Sequence, residues 1–293
     1  MIVIYHSRDL DGYCSGAICK KKYPDAKLIG YDYGKEFPYE QLDDELIMVD
    51  VSLPMEEMAK LADMVNGNFT WIDHHASAIS DYNKYMQENF PNSERGFLTA
   101  VLQDGISACE GAWNYLFPNE DMPNTVKWLG EYDTWRNSDL KYWNEVILPF
   151  QYGMRLGITN ADNFPQEMLI SESEVASAMV TKTFLQGQTI LNYQKEQNTL
   201  TMKGSFVIDF KGLRALCCNG GGFSSQAFES VWDEEKHDLM MPFKFNGNFW
   251  TFSMYTTKDI DLSLIAKEFG GGGHKKACGF QLKELPEFIF KIK

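Results

Sequence analysis

Phe69-Thr70-Trp71-Ile72-Asp73-His74-His75 is a short apolar, β-favouring run that stops at a carboxylate and two imidazoles. An apolar run of this length bounded by polar residues reads as a strand buried on both faces. Three metal-capable side chains in a row at the end of such a strand are costly to desolvate unless something charged binds there. Taken alone, Asp73 would serve equally well as a cap for the next segment, with the histidines bonding locally. What decides between the two is that other runs end the same way.

Ile2-Val3-Ile4-Tyr5 runs into His6, with Asp9 and Asp11 following, and Leu46-Ile47-Met48-Val49 runs into Asp50. In an open parallel sheet, ligands bind in the crevice beyond the carboxyl ends of the strands. Three such strands side by side bring His6, Asp9, Asp11, Asp50, Asp73, His74 and His75 to one edge. Hard carboxylate oxygens mixed with imidazole nitrogens suit Mn²⁺, Mg²⁺ or another divalent first-row ion, and this many ligands suit two of them. Between the runs, Tyr13–Lys20 reads as a helix closed by Pro24, and Lys27–Tyr31 as a weak strand. Ser52, Pro54 and Glu56-Glu57 form a helix start, with Met55, Met58, Leu61, Ala62 and Val65 on the apolar face. Strand, helix and strand in succession predict a parallel sheet.

The segments H-S-R-D-L-D-G (6–12), V-D-V-S (49–52), I-D-H-H (72–75) and Y-D-T-W (132–135) resemble the four motifs of the DHH phosphoesterase superfamily. The stretch from Gly270 to Gly279, G-G-G-G-H-K-K-A-C-G, resembles the GGGH motif of the associated DHHA1 domain. The chain is short for a RecJ-like exonuclease and closer in size to the nanoRNase and pAp-phosphatase branch. The resemblance implies an α/β architecture: an N-terminal parallel-sheet DHH domain over residues 1–185, a helical linker over 186–203, and a smaller α/β DHHA1-like domain over 204–293. It implies that His6 and Asp9 hold one metal and Asp11 and His74 the other, with Asp50 and Asp133 bridging. His75 would then face the substrate phosphate, and Asp73 would orient a histidine. The catalytic set so implied is Asp50, His74, His75 and Asp133. Gly271, Gly272, Gly273 and His274, joined by Lys275 or Lys276, would bind another phosphate or the nucleotide end of the substrate. The activity implied is hydrolysis of phosphodiester or phosphomonoester bonds of short oligonucleotides or small nucleotides by a metal-activated water, as in an exonuclease, oligoribonuclease or nucleotide phosphatase. A pyrophosphatase or polyphosphatase, and a non-catalytic nucleotide-binding relative, are the alternatives.

The bulk properties bound the partners. The 293 residues are 44% hydrophobic and 23% charged, an ordinary globular composition. A net charge of −14 lacks the basic footprint of a protein that grips long duplexes, and favours a small phosphorylated substrate. No apolar run approaches a membrane span, and the N-terminus does not read as a signal peptide. Six scattered cysteines without C-x-x-C spacing read as free thiols, placing the protein in the cytoplasm. Oligomeric state is not written in the sequence, and a homodimer stays open.

Elsewhere, residues 81–96, including Pro91-Asn92-Ser93, read as a loop, and Ser107-Ala108-Cys109-Glu110 as a capping box opening a helix. Residues 140–200 look mostly helical, with a long connecting helix over Glu172–Met202. In the second domain, 205–209, 213–218 and 249–255 read as strands, and 224–231 and 263–269 as helices. Gly220-Gly221-Gly222 reads as a turn, Gly270–His274 as a loop, and His237, in an acidic stretch, as a surface residue.

Overall fold

A computed structural model describes residues 1–91 and 96–292. The chain divides into two compact units, Met1–Leu191 and a second from Asn192 onward. The first unit contains β1 (Ile2–His6), α1 (Leu10–Lys22), β2 (Lys27–Tyr31), β3 (Leu46–Val49), α2 (Met55–Met64), β4 (Phe69–Asp73), α3 (Ala76–Asn89), β5 (Thr99–Leu102), α4 (Ala108–Leu116), α5 (Asn124–Asp133), the single turn α6 (Leu140–Tyr142) and α7 (Leu148–Met154). A long helix, α8 (Glu174–Met202), carries the chain into the second unit. There follow β6 (Phe206–Phe210), β7 (Leu213–Asn219), β8 (Leu239–Phe245), β9 (Trp250–Tyr255), α9 (Leu262–Glu268), β10 (Gly272–His274) and β11 (Ala277–Leu282).

The first sheet is parallel throughout, in the order β2-β1-β3-β4-β5. Side chains alternate across it, as the pleat requires. Val3, Tyr5, Ile47, Val49 and Ile72 join one core with residues of α1, α4, α5 and α7. Ile2, Ile4, Leu46, Met48, Phe69 and Trp71 join the other with residues of α2 and α3. Both faces are covered, which is why the strands read as uninterrupted apolar runs. The strand order reverses between β1 and β3, so their carboxyl ends open a crevice where His6 and Asp50 emerge. Gly12 makes the mouth of that crevice possible: a Cβ there would lie 2.0 Å from the His6 carbonyl oxygen.

The second unit is a mixed sheet, order β10-β11-β9-β8-β7-β6, antiparallel except for the β7–β8 pair. Its core stacks Phe210, Phe252, Phe269 and Phe280 against one another.

Several elements differ from the sequence reading. Residues 81–89 are helical, part of α3, and of the expected loop 92–95 lie outside the described residues. Only Ala78 of α3 is fully buried, and Tyr82 and Tyr85 complete a narrow stripe, Tyr82 packing edge-on against Trp71. So thin a stripe in a polar run leaves little periodicity to read. β5 and β8 were not expected; β8 contains Pro242, which argues against a strand in sequence. Residues 155–173 are largely irregular rather than helical, with one 3₁₀ turn at Gln166–Leu169. The expected helix at 224–231 is only a 3₁₀ turn, Ser225–Phe228. His237 is buried, not at the surface: its ring packs on Trp232 and Nδ1 accepts the Asp233 amide at 3.1 Å, so burial lowers its pKa.

Helices α7 and α8 approach closely within the first unit. A Cβ on Gly187 would fall 1.7 Å from the Pro149 carbonyl oxygen, and one on Gly153 would fall 2.0 Å from that of Thr183. Gly187→Ala is therefore expected to force the helices apart and destabilise the first unit by about 1–3 kcal/mol. Urea unfolding followed by tryptophan fluorescence measures it; an unchanged midpoint would show that the crossing relaxes freely.

Candidate metal centre

Every residue the sequence singled out in the first unit emerges at the carboxyl edge of the sheet or beside it. His6 ends β1, and Asp9 caps α1, its Oδ1 accepting the Gly12 amide at 3.1 Å. Asp11 lies in the first turn of α1 and is buried. Asp50 follows β3 in the left-handed region, φ +60°, a strained setting for a non-glycine residue that turns its carboxylate into the crevice. His74 and His75 follow β4, and Asp133 ends α5.

The ligand-capable atoms converge. His6 Nδ1 lies 3.4 Å from both Asp9 Oδ2 and Asp50 Oδ2. His74 Nε2 lies 3.4 Å from Asp50 Oδ1, 3.3 Å from Asp133 Oδ2 and 3.7 Å from Asp11 Oδ2. Three donor groups result, each spanning no more than 4.8 Å: His6, Asp9 and Asp50; Asp11, His74 and Asp133; Asp50, His74 and His75. His6 Nδ1 is buried and has no hydrogen-bond partner, an orphan of the kind a metal satisfies. Mixed carboxylate and imidazole donors at these separations are able to hold divalent ions, with Asp50 common to two groups and His74 to two.

The surroundings fix the donors. Asp73 is fully engaged: Oδ1 accepts the His74 amide at 2.7 Å, the His75 amide at 3.0 Å and contacts His75 Nδ1 at 2.7 Å, and Oδ2 accepts Trp71 Nε1 at 3.2 Å. Asp73 thus has no oxygen to spare for a metal; it holds His75 with Nδ1 inward and Nε2 outward. The Trp71 N–H also donates to the Val51 carbonyl at 3.1 Å, tying the loop after β3 to the end of β4. Asp11 accepts the Ala108 and Cys109 amides at 2.9 and 2.8 Å, so the amino end of α4 is spent on this carboxylate. Ser107 is the N-cap expected, in a reciprocal capping box with Glu110. Arg136 pairs with Glu110 at 2.8 Å and reaches the Gly105 carbonyl, bracing the segment that follows Asp133.

The electrostatics carry the mark of crowded acids. Burial, then Asp50 and Asp133, raise the Asp11 pKa well above the usual carboxylate range. Burial and Asp50 push Asp133 up to about 6. Burial opposes protonation of His6 and His74, but the facing carboxylates outweigh it and raise them to about 10 and about 9. Asp9 and Asp73 move the other way: their imidazole and amide donors overcome burial.

Asp32 was missed, although the signal was the same: the run ending in Tyr31 stops at a carboxylate. Its Oδ1 lies 3.8 Å from His6 Nε2, on the side away from Asp9 and Asp50. The indole N–H of Trp71 could not be foreseen, because its partners are set by strand pairing.

In the second unit the GGGH segment is not a free loop. Gly272–His274 forms the edge strand β10, paired with β11. Gly270, φ +74°, terminates α9; a Cβ on Gly271 would lie 2.1 Å from the Gly279 carbonyl oxygen; Gly273 has φ +130°. The hairpin itself thus requires three of the four glycines, and Gly272 alone has open space at its Cβ position. His274 is exposed, Lys275 pairs with Asp259 at 2.6 Å, and Lys276 Nζ reaches the Thr257 carbonyl at 3.4 Å. Because His274 and the metal-capable cluster belong to different units, each stands here on its own geometry.

Comparison with known proteins bears on this architecture. The pGpG-specific phosphodiesterase PggH of Vibrio cholerae superposes with a TM-score of 0.53 at 12% identity, over 96% of this chain and 93% of that one. The DHH domain of a member of the s1p family of ribosomal proteins gives 0.52 at 13% identity, over 95% and 81%. The fold is that of the DHH proteins. A second sheet-containing unit follows the parallel one, consistent with a DHHA1-like domain. At these identities the DHH likeness concerns architecture. An uncharacterized protein of Acanthamoeba polyphaga mimivirus is 25% identical over 311 residues, covering 95% of this chain. The chain spans 66% of that relative's length. No family model matches. Among the described residues no helix is long and apolar enough to cross a membrane.

Two outcomes follow from the geometry. Trp71→Phe leaves Asp73 Oδ2 and the Val51 carbonyl without their donor, and is expected to cost about 1–3 kcal/mol of stability, read by urea unfolding; a neutral substitution would show the indole N–H to be idle. The raised pKa values of His6 and His74 mean that their ion pairs stabilise the metal-free fold fully below pH 6.5 and are lost as pH climbs through about 9 and 10. Chelated protein should therefore melt progressively lower from pH 7 to 10, while Mn²⁺ affinity by calorimetry rises with pH as metal displaces those protons. A pH-independent Mn²⁺ affinity over that range would contradict the assignment of the imidazoles.

Proposed function

We propose that this chain is a divalent-metal-dependent phosphoesterase acting on short oligonucleotides or small nucleotides. The observation that carries the reading is the convergence of His6, Asp9, Asp11, Asp50, His74 and Asp133 at the strand-order reversal, with His6 Nδ1 buried and unpartnered. On this reading His6 and Asp9 would hold one ion and Asp11 and His74 a second, with Asp50 and Asp133 available to both. Mn²⁺ is the first choice, with Mg²⁺ or another divalent ion as substitute. Bound ions supply positive charge for the phosphoryl oxygens and lower the pKa of the attacking water.

The chain's own groups supply the rest. Asp50 and Asp133 face His74 from two sides and would add negative charge to the ions. His75, held by Asp73 through Nδ1, presents Nε2 to the reacting phosphate. In its protonated form it donates a hydrogen bond to an oxygen that gains charge, and Asp73 favours that form. The edge strand with Gly271, Gly272, Gly273 and His274 would take a second phosphate or the nucleotide end, Gly272 being the position at which a backbone amide is most openly approached. PggH, whose fold this chain shares, is a phosphodiesterase specific for the dinucleotide pGpG, which favours a short substrate. The net charge of −14 favours the same size class over a long duplex. A soluble cytoplasmic setting and a homodimer are compatible with this reading and are left to fractionation and light scattering.

The test is Mn²⁺-dependent hydrolysis of a 5′-labelled dinucleotide, a 20-mer, adenosine bisphosphate and tripolyphosphate. The expected result is mononucleotide release from the dinucleotide, reduced at least about a hundredfold by Asp50→Ala or His74→Ala, since the first removes a group shared between the ions and the second a ligand of one of them. Turnover of tripolyphosphate alone would replace the reading with a polyphosphatase. Nucleotide binding without turnover in metal-loaded protein would replace it with a non-catalytic binder.

A further inference from the structure

The β2 flank of the cluster carries two groups that the chemistry above does not use. Tyr33 follows β2 by two residues, in the segment Tyr31-Asp32-Tyr33-Gly34. Its ring centroid lies 5.7 Å from that of His6, tilted by 58°. Its hydroxyl oxygen accepts the Ser52 amide at 3.2 Å, two residues beyond Asp50. That bond ties the ring to the loop after Asp50 at the edge of the crevice, so the hydroxyl sits against that loop. Even so, the residue is 52% exposed. The ring also meets the buried Tyr31 edge-on, at 6.5 Å between centroids, and the rest of it is open to solvent beside the charged cleft.

Arg8 meets the same segment at Asp32. It lies between His6 and Asp9, its side chain 75% exposed, and its only ionic neighbour among the described residues is Asp32, at 3.9 Å. That is too long for a hydrogen bond, and among the described residues no hydrogen bond engages the guanidinium. Asp32 spans the two features, with one oxygen towards Arg8 and the other towards His6. A crevice so rich in carboxylates repels an anionic substrate wherever no cation intervenes. A guanidinium fork at its rim matches a phosphate, and a pinned tyrosine offers the flat face that any nucleobase accepts.

We propose that Arg8 and Tyr33 form a nucleotide subsite on the β2 flank of the cluster, Arg8 binding a phosphate oxygen and Tyr33 stacking on the attached base. The proposal deepens the phosphoesterase reading and rests on it. It makes Tyr33 the group that separates nucleoside-bearing phosphates from inorganic polyphosphate, because the latter has no face to stack. Arg8 serves both kinds of anion.

The experiment uses the full chain loaded with Ca²⁺ to follow binding of a labelled 5′-phosphorylated dinucleotide, and of tripolyphosphate as competitor, by equilibrium dialysis. Mn²⁺ then gives KM and kcat. Tyr33→Ala is expected to weaken dinucleotide binding roughly tenfold or more and leave tripolyphosphate within about twofold, with the loss in KM rather than kcat. Tyr33→Phe should retain most of the dinucleotide affinity, and Arg8→Ala should weaken both ligands. Mn²⁺ stoichiometry by calorimetry accompanies each variant. Dinucleotide affinity unchanged in both alanine variants overturns the subsite. So does a loss of affinity that tracks a loss of bound Mn²⁺, which would make Tyr33 a support for His6. Wild-type protein that binds Mn²⁺ but neither binds nor cleaves the dinucleotide overturns the phosphoesterase reading itself, and the subsite with it.

Discussion

Mutual repulsion among carboxylates at one edge of a parallel sheet is the constraint on which the rest of the first unit depends. Asp11, Asp50 and Asp73 are buried, with Asp9 and Asp133 within reach of the same two imidazoles. Like charges a few ångströms apart in a poorly hydrated crevice cannot all ionise unless donors or cations answer them. The fold answers part of the demand. Asp73 receives two amides, an indole and an imidazole, and Asp11 receives the amino end of α4. The remainder shows as strain: an aspartate at φ +60°, carboxyls that hold protons above their ordinary range, and an orphan ring nitrogen. Such a site has donors able to hold cations already in place, so that an ion would bind without large rearrangement.

The supports are placed accordingly. Strand pairing brings Asp50 and His74 together, because β3 and β4 are neighbours and both end at the same level. α4 reaches back to clamp Asp11 across nearly a hundred residues of sequence, and its capping box anchors Arg136 after Asp133. Trp71 links the β3 and β4 ends from beneath through one buried N–H. None of these groups needs to touch a substrate. Their work is to keep six ligand-capable side chains within a few ångströms against their own electrostatics.

The second unit uses its charges differently. Arg214 grips Asp238 through two nitrogens, at 3.0 and 2.9 Å, and Lys258 adds a third contact at 2.7 Å, so these cations fasten the ends of β7, β8 and β9 together. Burial of apolar surface then falls to the phenylalanine stack, and two of its members, Phe269 and Phe280, flank the glycine-rich hairpin directly. The glycines there are first a packing solution, three of them being demanded by backbone conformation or close approach. That leaves a short exposed edge with His274 at its end, where an anion would find amides and an imidazole.

Sequence alone determined the runs that end in His6, Asp50 and Asp73, because burial on both faces writes a strand as an unbroken apolar stretch and a functional end as an abrupt polar stop. It also determined the helix start at Ser107, where capping chemistry is local, whereas the cap expected at Ser52 does not form and α2 begins after Pro54 with no side-chain cap. The thin stripe of α3, the strand holding Pro242 and the burial of His237 escaped it, since each is set by contacts made elsewhere in the chain. Asp32 was visible in principle but sat on a run too weak to weigh. Only the tertiary structure decided that β1 lies between β2 and β3, and therefore that the carboxyl ends open into one crevice. It decided as well that Asp73 spends its oxygens on amides, an indole and His75, while those of Asp50 and Asp133 face the imidazoles of His6 and His74. The physical reason is that a ligand set is a matter of distances between strands, and register and strand order are properties of the packed sheet rather than of any one segment.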